Sequence, residues 1–385
     1  MSAWLSRNKK TPVIGVDLGS GFIKMAQFKE EQNSLKLVNF GVLSVPEGAI
    51  VEGRIEKTKE TVEILKELIS FHSFIGNRIV ANVSGQLVVA KEIIMDVLPE
   101  NELDEAVKWE IEKFLPFPVD KAAFDYQILN ELIEGEGGRV NKLNILVASA
   151  PLEVVELTAE LFKMANLDPV AVEVEPFSIL RLLRFDPEFS FENEVLFTVI
   201  NIGYNYTSIN MVDKGMVRLS RTIPTGGRKI TDSIASALGK SFEEAEEIKI
   251  KELDLTKESP LTKATMALFD GLSLEIKRSI NFYFNKFNDG KTMDTAILIE
   301  GGSANIKGIE KYIETSVGYA SGVNRLFTNI AKFDSNLFTK EYLFEMAPMF
   351  SVATGLALRG HTLKSVAKKK VPQEQAKNVL AYKKG

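Results

Sequence analysis

The sequence predicts an α/β protein of two related lobes, with a small α+β unit inserted into the first. Three observations predict it. The order strand, glycine turn, strand, strand, helix starts at residue 13 and again at residue 195. At 385 residues the chain exceeds what one ordinary hydrophobic core holds. Between residues 86 and 166 the pattern changes to a self-contained run of strands and helices. Duplication at this scale implies a cleft between lobes, where ligands commonly sit.

Val13–Leu18 is an apolar run ending in Gly19-Ser20-Gly21, and Phe22–Phe28 follows as a second run, so the pair reads as a hairpin closed by a tight glycine turn. Leu35–Val45 is a third strand. Thr58–Phe71 places Val62, Leu65, Leu68 and Ile69 at helical spacing, and Arg78–Val83 restores a strand. The inserted unit reads as strand Leu87–Met95, helix Glu102–Leu115, a Pro116-Phe117-Pro118 stop and strand Phe124–Leu129. An acidic, glycine-rich turn at Glu134–Gly138, strand Leu143–Ala150 and helix Pro151–Ala165 complete it. Val170–Val174 then leads into Glu175-Pro176 and a helix. In the second half Val195–Ile200 turns at Asn201-Ile202-Gly203 into the meander Thr207–Val212 and Met216–Arg221. Helices Arg228–Leu238, Phe242–Lys251 and Pro260–Phe287 follow, and strand Thr295–Ile299 ends in Gly301-Gly302.

The expected partition is a first lobe of residues 12–85 and 167–194, an insert of 86–166, and a second lobe of 195–226 and 293–360. A helical subdomain of 227–292 and flexible basic ends at 1–11 and 361–385 complete it.

Composition narrows the chemistry. With 45% apolar and 26% charged residues the chain is globular in type, not disordered, collagen-like or coiled-coil. The absence of cysteine excludes disulfides, thiolate zinc sites and cysteine nucleophiles, and fits a reducing cytosol. Two histidines, His72 and His361, leave no material for a histidine metal site or a Ser-His-Asp triad. Any catalysis must use carboxylates, lysine, backbone amides or a borrowed metal ion. The aromatics are mostly Phe, 24 against eight Tyr and two Trp, which suits core filling more than a recognition surface.

The net charge of −5 conceals an uneven distribution: residues 1–12 carry +3, residues 361–385 carry +6, and the body between them carries −14. An acidic body argues against nucleic-acid binding, and the basic ends read either as solvated lysine-rich tails or as weak attraction to an anionic membrane surface. Trp4-Leu5 reads as part of a disordered terminus or as an interfacial insertion. The apolar runs are strand-sized, and Met1–Thr11 has no apolar stretch of signal-peptide type. Any work at a membrane is therefore expected through a partner or a surface contact.

Three glycine turns stand at strand ends: Asp17-Leu18-Gly19-Ser20-Gly21, Asn201-Ile202-Gly203 and Gly301-Gly302-Ser303. Alone, each is an ordinary turn or helix cap. Together, two hairpin turns can present backbone N–H groups to the phosphates of one nucleotide from opposite sides, while the third opens a helix. An acid before the first turn can hold hydrated Mg²⁺, and Lys24 can reach phosphate as a point charge.

Asp17–Lys24 (DLGSGFIK) resembles the first phosphate motif of the actin, Hsp70 and FtsA ATPase superfamily. Glu175-Pro176 resembles its first connecting motif, Asn201–Thr207 its second phosphate loop, and Glu300–Asn305 its adenosine motif. Within the superfamily, Trp109–Pro118 (WEIEKFLPFP) with Asp125-Tyr126-Gln127 is similar to the inserted subdomain of the PilM family of type IV pilus assembly. Val172–Leu180 (VEVEPFSIL), Ile223–Gly227 (IPTGG), Ser241–Lys249 (SFEEAEEIK) and Gly355–Gly360 (GLALRG) are in the same style. The resemblance implies a two-lobed actin-like fold, ribonuclease H-like and duplicated, with an insert of the FtsA and PilM type, and ATP or ADP with Mg²⁺ in the cleft. It places Gly19, Ser20, Gly21 and Lys24 at the triphosphate and Asp17 at the Mg²⁺ hydration shell. Asn201, Gly203 and Thr207 would form the second loop. Gly226 and Gly227 would cap a helix by the phosphates, Glu246 and Lys249 would flank ribose and base, and Gly301, Gly302, Ser303 and Asn305 would close the adenosine side. Glu175 would orient an attacking water.

One departure bears on activity. The superfamily's second loop usually begins with Asp and continues with small residues, whereas this chain has Asn201, Tyr204 and Tyr206. An amide keeps the hydrogen-bonding shape and loses the charge that holds a metal-bound water. The expectation is a nucleotide-binding scaffold with slow or absent hydrolysis. By resemblance it would lie at the cytoplasmic face of a bacterial inner membrane and bind the short cytoplasmic N-terminus of a PilN-like membrane protein. Motor or platform proteins and self-association are further expected contacts. The alternatives are an FtsA-like filament former, a component of a related type II secretion system, and a sugar or acetate kinase, which would need an acid where Asn201 stands.

Overall fold

Two five-stranded sheets carry the sequence repeat in the same strand order. The computed structural model describes residues 12–31, 34–133, 140–186, 189–191, 194–359 and 361. The basic ends, apart from Pro12 and His361, and the turn at 134–138 lie outside the described residues.

In chain order come β1 (Ile14–Leu18), β2 (Phe22–Glu31), β3 (Ser34–Ser44), the short pair β4 (Ile50–Val51) and β5 (Arg54–Ile55), α1 (Thr58–Phe71) and β6 (Arg78–Val83). The insert follows with β7 (Val89–Asp96), α2 (Glu100–Glu112), β8 (Ala122–Ile133) and β9 (Val140–Pro151), then α3 (Leu152–Met164), β10 (Asp168–Val174) and α4 (Glu175–Phe185). The second half comprises β11 (Val195–Ile202), β12 (Thr207–Asp213), β13 (Met216–Ile223), α5 (Gly227–Leu238), α6 (Phe242–Lys251) and α7 (Pro260–Phe287). It closes with β14 (Asp294–Glu300), α8 (Ile309–Val317), β15 (Ala320–Val323), α9 (Lys340–Met346) and α10 (Ser351–Ala357).

The first sheet runs β3-β2-β1-β6-β10 and the second β13-β12-β11-β14-β15. In each, the meander is antiparallel and the remaining strands are parallel to its first strand. β1 is buried along its whole length because it is paired on both edges and covered on both faces, which is why it reads as an unbroken apolar run. α6 starts at a capping box of Ser241 and Glu244, and α7 at Ser259 with proline in its first turn. In α7, Gly271 is exposed, and an added Cβ would meet nothing within 4 Å. Gly271→Ala is therefore expected to raise stability by about 0.5–1 kcal/mol, through lower backbone entropy in the unfolded chain, and a urea midpoint comparison checks it.

The insert's sheet has the order β7-β9-β8, and α2 lays Leu103, Val107 and Ile111 on Ile93, Ile145 and Val147. α3, placed in the insert by the expected partition, buries Leu161 and Phe162 with Leu65 of α1 and Ile79 of β6, so it packs on the first sheet. α10, placed in the second lobe, is buried at every residue and packs against β1 and α4. An added Cβ at Gly15 would lie 2.0 Å from the Ala353 carbonyl oxygen, and one at Gly355 would lie 2.0 Å from that of Ser178. These glycines permit the close approach of α10. α4 and α10 join the two sheets in one apolar core that includes Ala26 and Val80 of the first and Val199 and Leu298 of the second.

Candidate functional site

The turn-bearing strand ends of both sheets face a cavity of about 280 Å³. On the first lobe's wall, Asp17 at the end of β1 stands opposite Lys24 of β2 in the antiparallel register. Lys24 Nζ donates to Asp17 Oδ2, and Asn82 Nδ2 donates to Oδ1 at 3.2 Å. The Leu18 N–H in turn donates to Asn82 Oδ1 at 3.0 Å, so Asn82, from β6, fixes the acid and the start of its turn together.

Glu175, the first residue of α4, enters the cavity between the lobes. Its Oε1 accepts from Asn201 Nδ2 at 3.0 Å and Ser208 Oγ at 2.5 Å. Burial pushes this carboxyl up, the two donors and Lys24 oppose the shift, and the Asp17 charge adds to it. Asn201 is thus a donor to the neighbouring carboxylate, a role an aspartate could not fill. Beneath the same wall lies Glu300, paired in register with Asn201 and wholly buried. Its Oε2 accepts from Asn324 Nδ2 at 2.9 Å, and its Oε1 has no hydrogen-bond partner. Burial first, then the Glu175 charge, push this carboxyl up to about 8.

The second loop rests on the start of α5. The Gly203 carbonyl accepts from the Gly227 N–H at 2.8 Å and the Tyr204 carbonyl from the Arg228 N–H at 2.9 Å. Those helix N–H groups are occupied, so the loop itself faces the cavity. Gly226 is the helix N-cap and lies behind the loop, where a Cβ would meet the Tyr204 oxygen at 2.4 Å. Thr207 also turns away from the cavity, and its Oγ1 donates to the Thr225 carbonyl at 2.7 Å. All the other sequence-predicted site residues line the cavity. Lys249 is buried, with Nζ donating to Glu246 Oε2 at 2.6 Å and Thr231 Oγ1 at 2.9 Å, and burial lowers its pKa.

The third turn differs from expectation in one respect. Gly301, at φ +91°, opens a short 3₁₀ turn at Gly302–Asn305, and the next α-helix starts at Ile309. The left-handed φ and a would-be Cβ 2.4 Å from the Ile202 oxygen both require glycine there. Sequence reading missed Asn82, Ile250 and Met349, and named Glu300 only as the first residue of the third motif, without a role. The signal available for Asn82 was a polar group inside an apolar strand, while nothing local marked Ile250 and Met349.

The cavity is lined both by Lys24 and the glycine turns and by the apolar side chains of Ile250, Ile306 and Met349. A phosphorylated nucleoside uses both kinds of wall. Among the described residues no group of three His, Asp or Glu side chains is arranged to hold a metal. Asp17 alone suits Mg²⁺ held chiefly by water and phosphate oxygens.

A second, larger cavity of about 930 Å³ runs between the insert and α4. Leu146, Ala148 and Ala150 of β9 face Phe177 and Leu180 of α4 across it. Glu173 accepts two hydrogen bonds from Arg181, at 2.8 and 2.9 Å, and also pairs with Arg359. The Gly215-Met216 turn of the second lobe closes one border, where its Gly215 carbonyl accepts from Arg184.

The family model of the type IV pilus assembly protein PilM matches residues 15–361. The chain belongs to the PilM family. Among solved structures it is similar to PilM in a PilM-PilN type IV pilus biogenesis complex, with 25% identity, a TM-score of 0.79, and coverage of 91% of this chain and 99% of that one. The ethanolamine utilization protein EutJ from Carboxydothermus hydrogenoformans matches at 16% identity and TM-score 0.53, covering 91% of each chain. A glycerol dehydratase reactivase matches at 11% identity and TM-score 0.50, covering 91% and 99%. The fold is thus the two-lobed actin-like one expected from the sequence, and the WEIEKFLPFP segment that pointed to PilM forms the last turn of α2 and the proline stop after it. In this PilM-family chain no helix among the described residues is long and apolar enough to cross a membrane.

Proposed function

We propose that this PilM-family chain is a nucleotide-binding scaffold of type IV pilus assembly, held at the cytoplasmic face of the inner membrane by the N-terminal peptide of a PilN-like membrane protein. The nucleotide occupies the cleft, and the peptide occupies the groove between the insert and α4. One observation carries the reading: the same two helices border both cavities. α4 begins with Glu175 in the cleft and reaches the groove with Arg181 and Arg184, while α10 begins at Ser351 in the cleft and leads to Leu358 and Arg359 in the groove. Because a second-lobe turn also borders the groove, a change in lobe angle alters the groove's width, which is how nucleotide would act on partner affinity.

In the cleft, Lys24 attracts phosphate, the glycine turns admit it closely, and Asp17 suits a hydrated Mg²⁺ that would neutralise phosphate charge. Glu175 is the candidate orienter of water, but Asn201 and Ser208 both donate to its Oε1, and the second loop brings no carboxylate to share the task. Slow or absent hydrolysis follows. The solved PilM-PilN complex supports the partner assignment.

The test is a pair of titrations on purified protein, with fluorescent nucleotide and with the partner's N-terminal peptide. Lys24→Ala should weaken nucleotide at least about tenfold, and Ala148→Arg should abolish peptide binding while sparing nucleotide. Peptide affinity that is indifferent to nucleotide would remove the coupling. Steady ATP turnover lost on Glu175→Ala would replace the scaffold with an enzyme.

A further inference from the structure

The second loop reaches across the cleft and touches the first. Tyr204 lies half-buried with its ring on Gly21, so close that a Cβ built on that glycine would be 2.5 Å from the ring Cγ. The ring is backed by Phe242 in a T-shaped contact at 6.4 Å. Its backbone is held by the Arg228 N–H on the Tyr204 carbonyl, and the Arg228 guanidinium pairs with Glu47 of the first lobe. Tyr204 and Arg228 of one lobe therefore meet Gly21 and Glu47 of the other, and Tyr204 and Gly21 both line the cavity.

The space between two facing glycine turns is where the last phosphate of a nucleotide would be gripped, because backbone can approach it from both sides. Here an aromatic ring fills part of that space. A ring face carries partial negative charge and offers no N–H, so it cannot coexist with phosphate oxygens at the same place. The cavity behind it, about 280 Å³, is at the small end of ligand sites, which run from about 300 to 1,000 Å³.

We propose that Tyr204 occupies the terminal-phosphate position of the closed cleft, so that the site takes a nucleoside diphosphate in preference to a triphosphate. This rests on the nucleotide reading of the cleft. The lobes meet there through Tyr204 and Gly21. A triphosphate must lift the ring from Gly21 and part Arg228 from Glu47, which opens the cleft. Tyr204 is a specificity-determining residue that acts by exclusion.

Calorimetric titration of ADP and ATP with Mg²⁺ tests it on the full chain, on Tyr204→Ala and on Tyr204→Phe. The wild type should bind ADP at least about tenfold more tightly than ATP, and Tyr204→Ala should bring the two affinities within about threefold by strengthening ATP. Tyr204→Phe should keep the wild-type ratio, since the ring fills the space and not the hydroxyl, and ADP binding by each variant reports that it is folded. An ADP-to-ATP ratio unchanged by Tyr204→Ala, or a wild type without ADP preference, would overturn the proposal and leave the nucleotide reading standing. A wild-type chain that binds neither nucleotide would overturn that reading and this proposal together.

Discussion

Glu300→Gln is expected to abolish most of the fall in stability between pH 5 and pH 8, and to leave the variant more stable than the wild type at pH 8. In the folded chain the Glu300 carboxyl stays protonated up to about pH 8, against an ordinary value of 4.5. Burial is the main cause, Glu175 and Asp17 add to it, and the hydrogen bond from Asn324 opposes it. Between those pH values the native state holds a proton that the unfolded chain has lost, so stability decreases as pH rises. The contribution is complete below 4.5 and gone once pH passes 8. The interval corresponds to about 4–5 kcal/mol at most. Glutamine keeps an acceptor for Asn324 and has no charge to bury. Urea midpoints at several pH values measure the effect, and equal slopes in the two proteins would show that another group dominates.

Gly355→Ala should be among the most damaging single-methyl additions in the molecule, costing about 3 kcal/mol or more. The new Cβ would sit 2.0 Å from the Ser178 carbonyl oxygen, with two further backbone atoms within 3.0 Å. No rotamer relieves a clash with backbone, so α10 must move away from α4. Both helices border both cavities, and the displacement should weaken nucleotide and partner peptide together. Chemical denaturation gives the stability loss and the two titrations give the binding losses. Loss at one cavity alone would mean that the helices do not transmit. Gly271→Ala, made where space is open, separates this packing effect from the general consequence of replacing glycine.

The periodic elements were legible because their periodicity is local. Thr58–Phe71, Arg78–Val83, Phe242–Lys251 and Pro260–Phe287 have the bounds that apolar spacing, capping serines and proline indicate. Other features depend on partners distant in sequence. The apolar stripe of α3 shows that it packs, and not on which sheet. Gly355 reads as a small residue in an apolar helix until Ser178 is placed beside it. Asn82 looked like an ordinary member of a strand, and Glu300 like the start of a motif with no role of its own, since strand patterning ranks residues by hydropathy and is blind to hydrogen bonds across a sheet. Thr207 and Gly226 belong to the motif by order, yet they support the loop from behind. Tyr204 was visible as a bulky residue in a turn, but Gly21, against which it lies, belongs to the other half of the chain.

Asp17 and Asn201 occupy equivalent positions in the two halves, each two residues before the glycine of its turn on the first strand of its sheet. The backbone is thus close to a pseudo-twofold arrangement, and the charge at the turns is not. Asp17 and its ion-pair partner Lys24 both stand on the first wall, whereas the facing turn is neutral. On the proposed reading, an anionic group between them would be held electrostatically from one side and confined sterically from the other. On lobe separation it would part from the second lobe first and stay with the first, making lobe opening and ligand departure two events with separate rates.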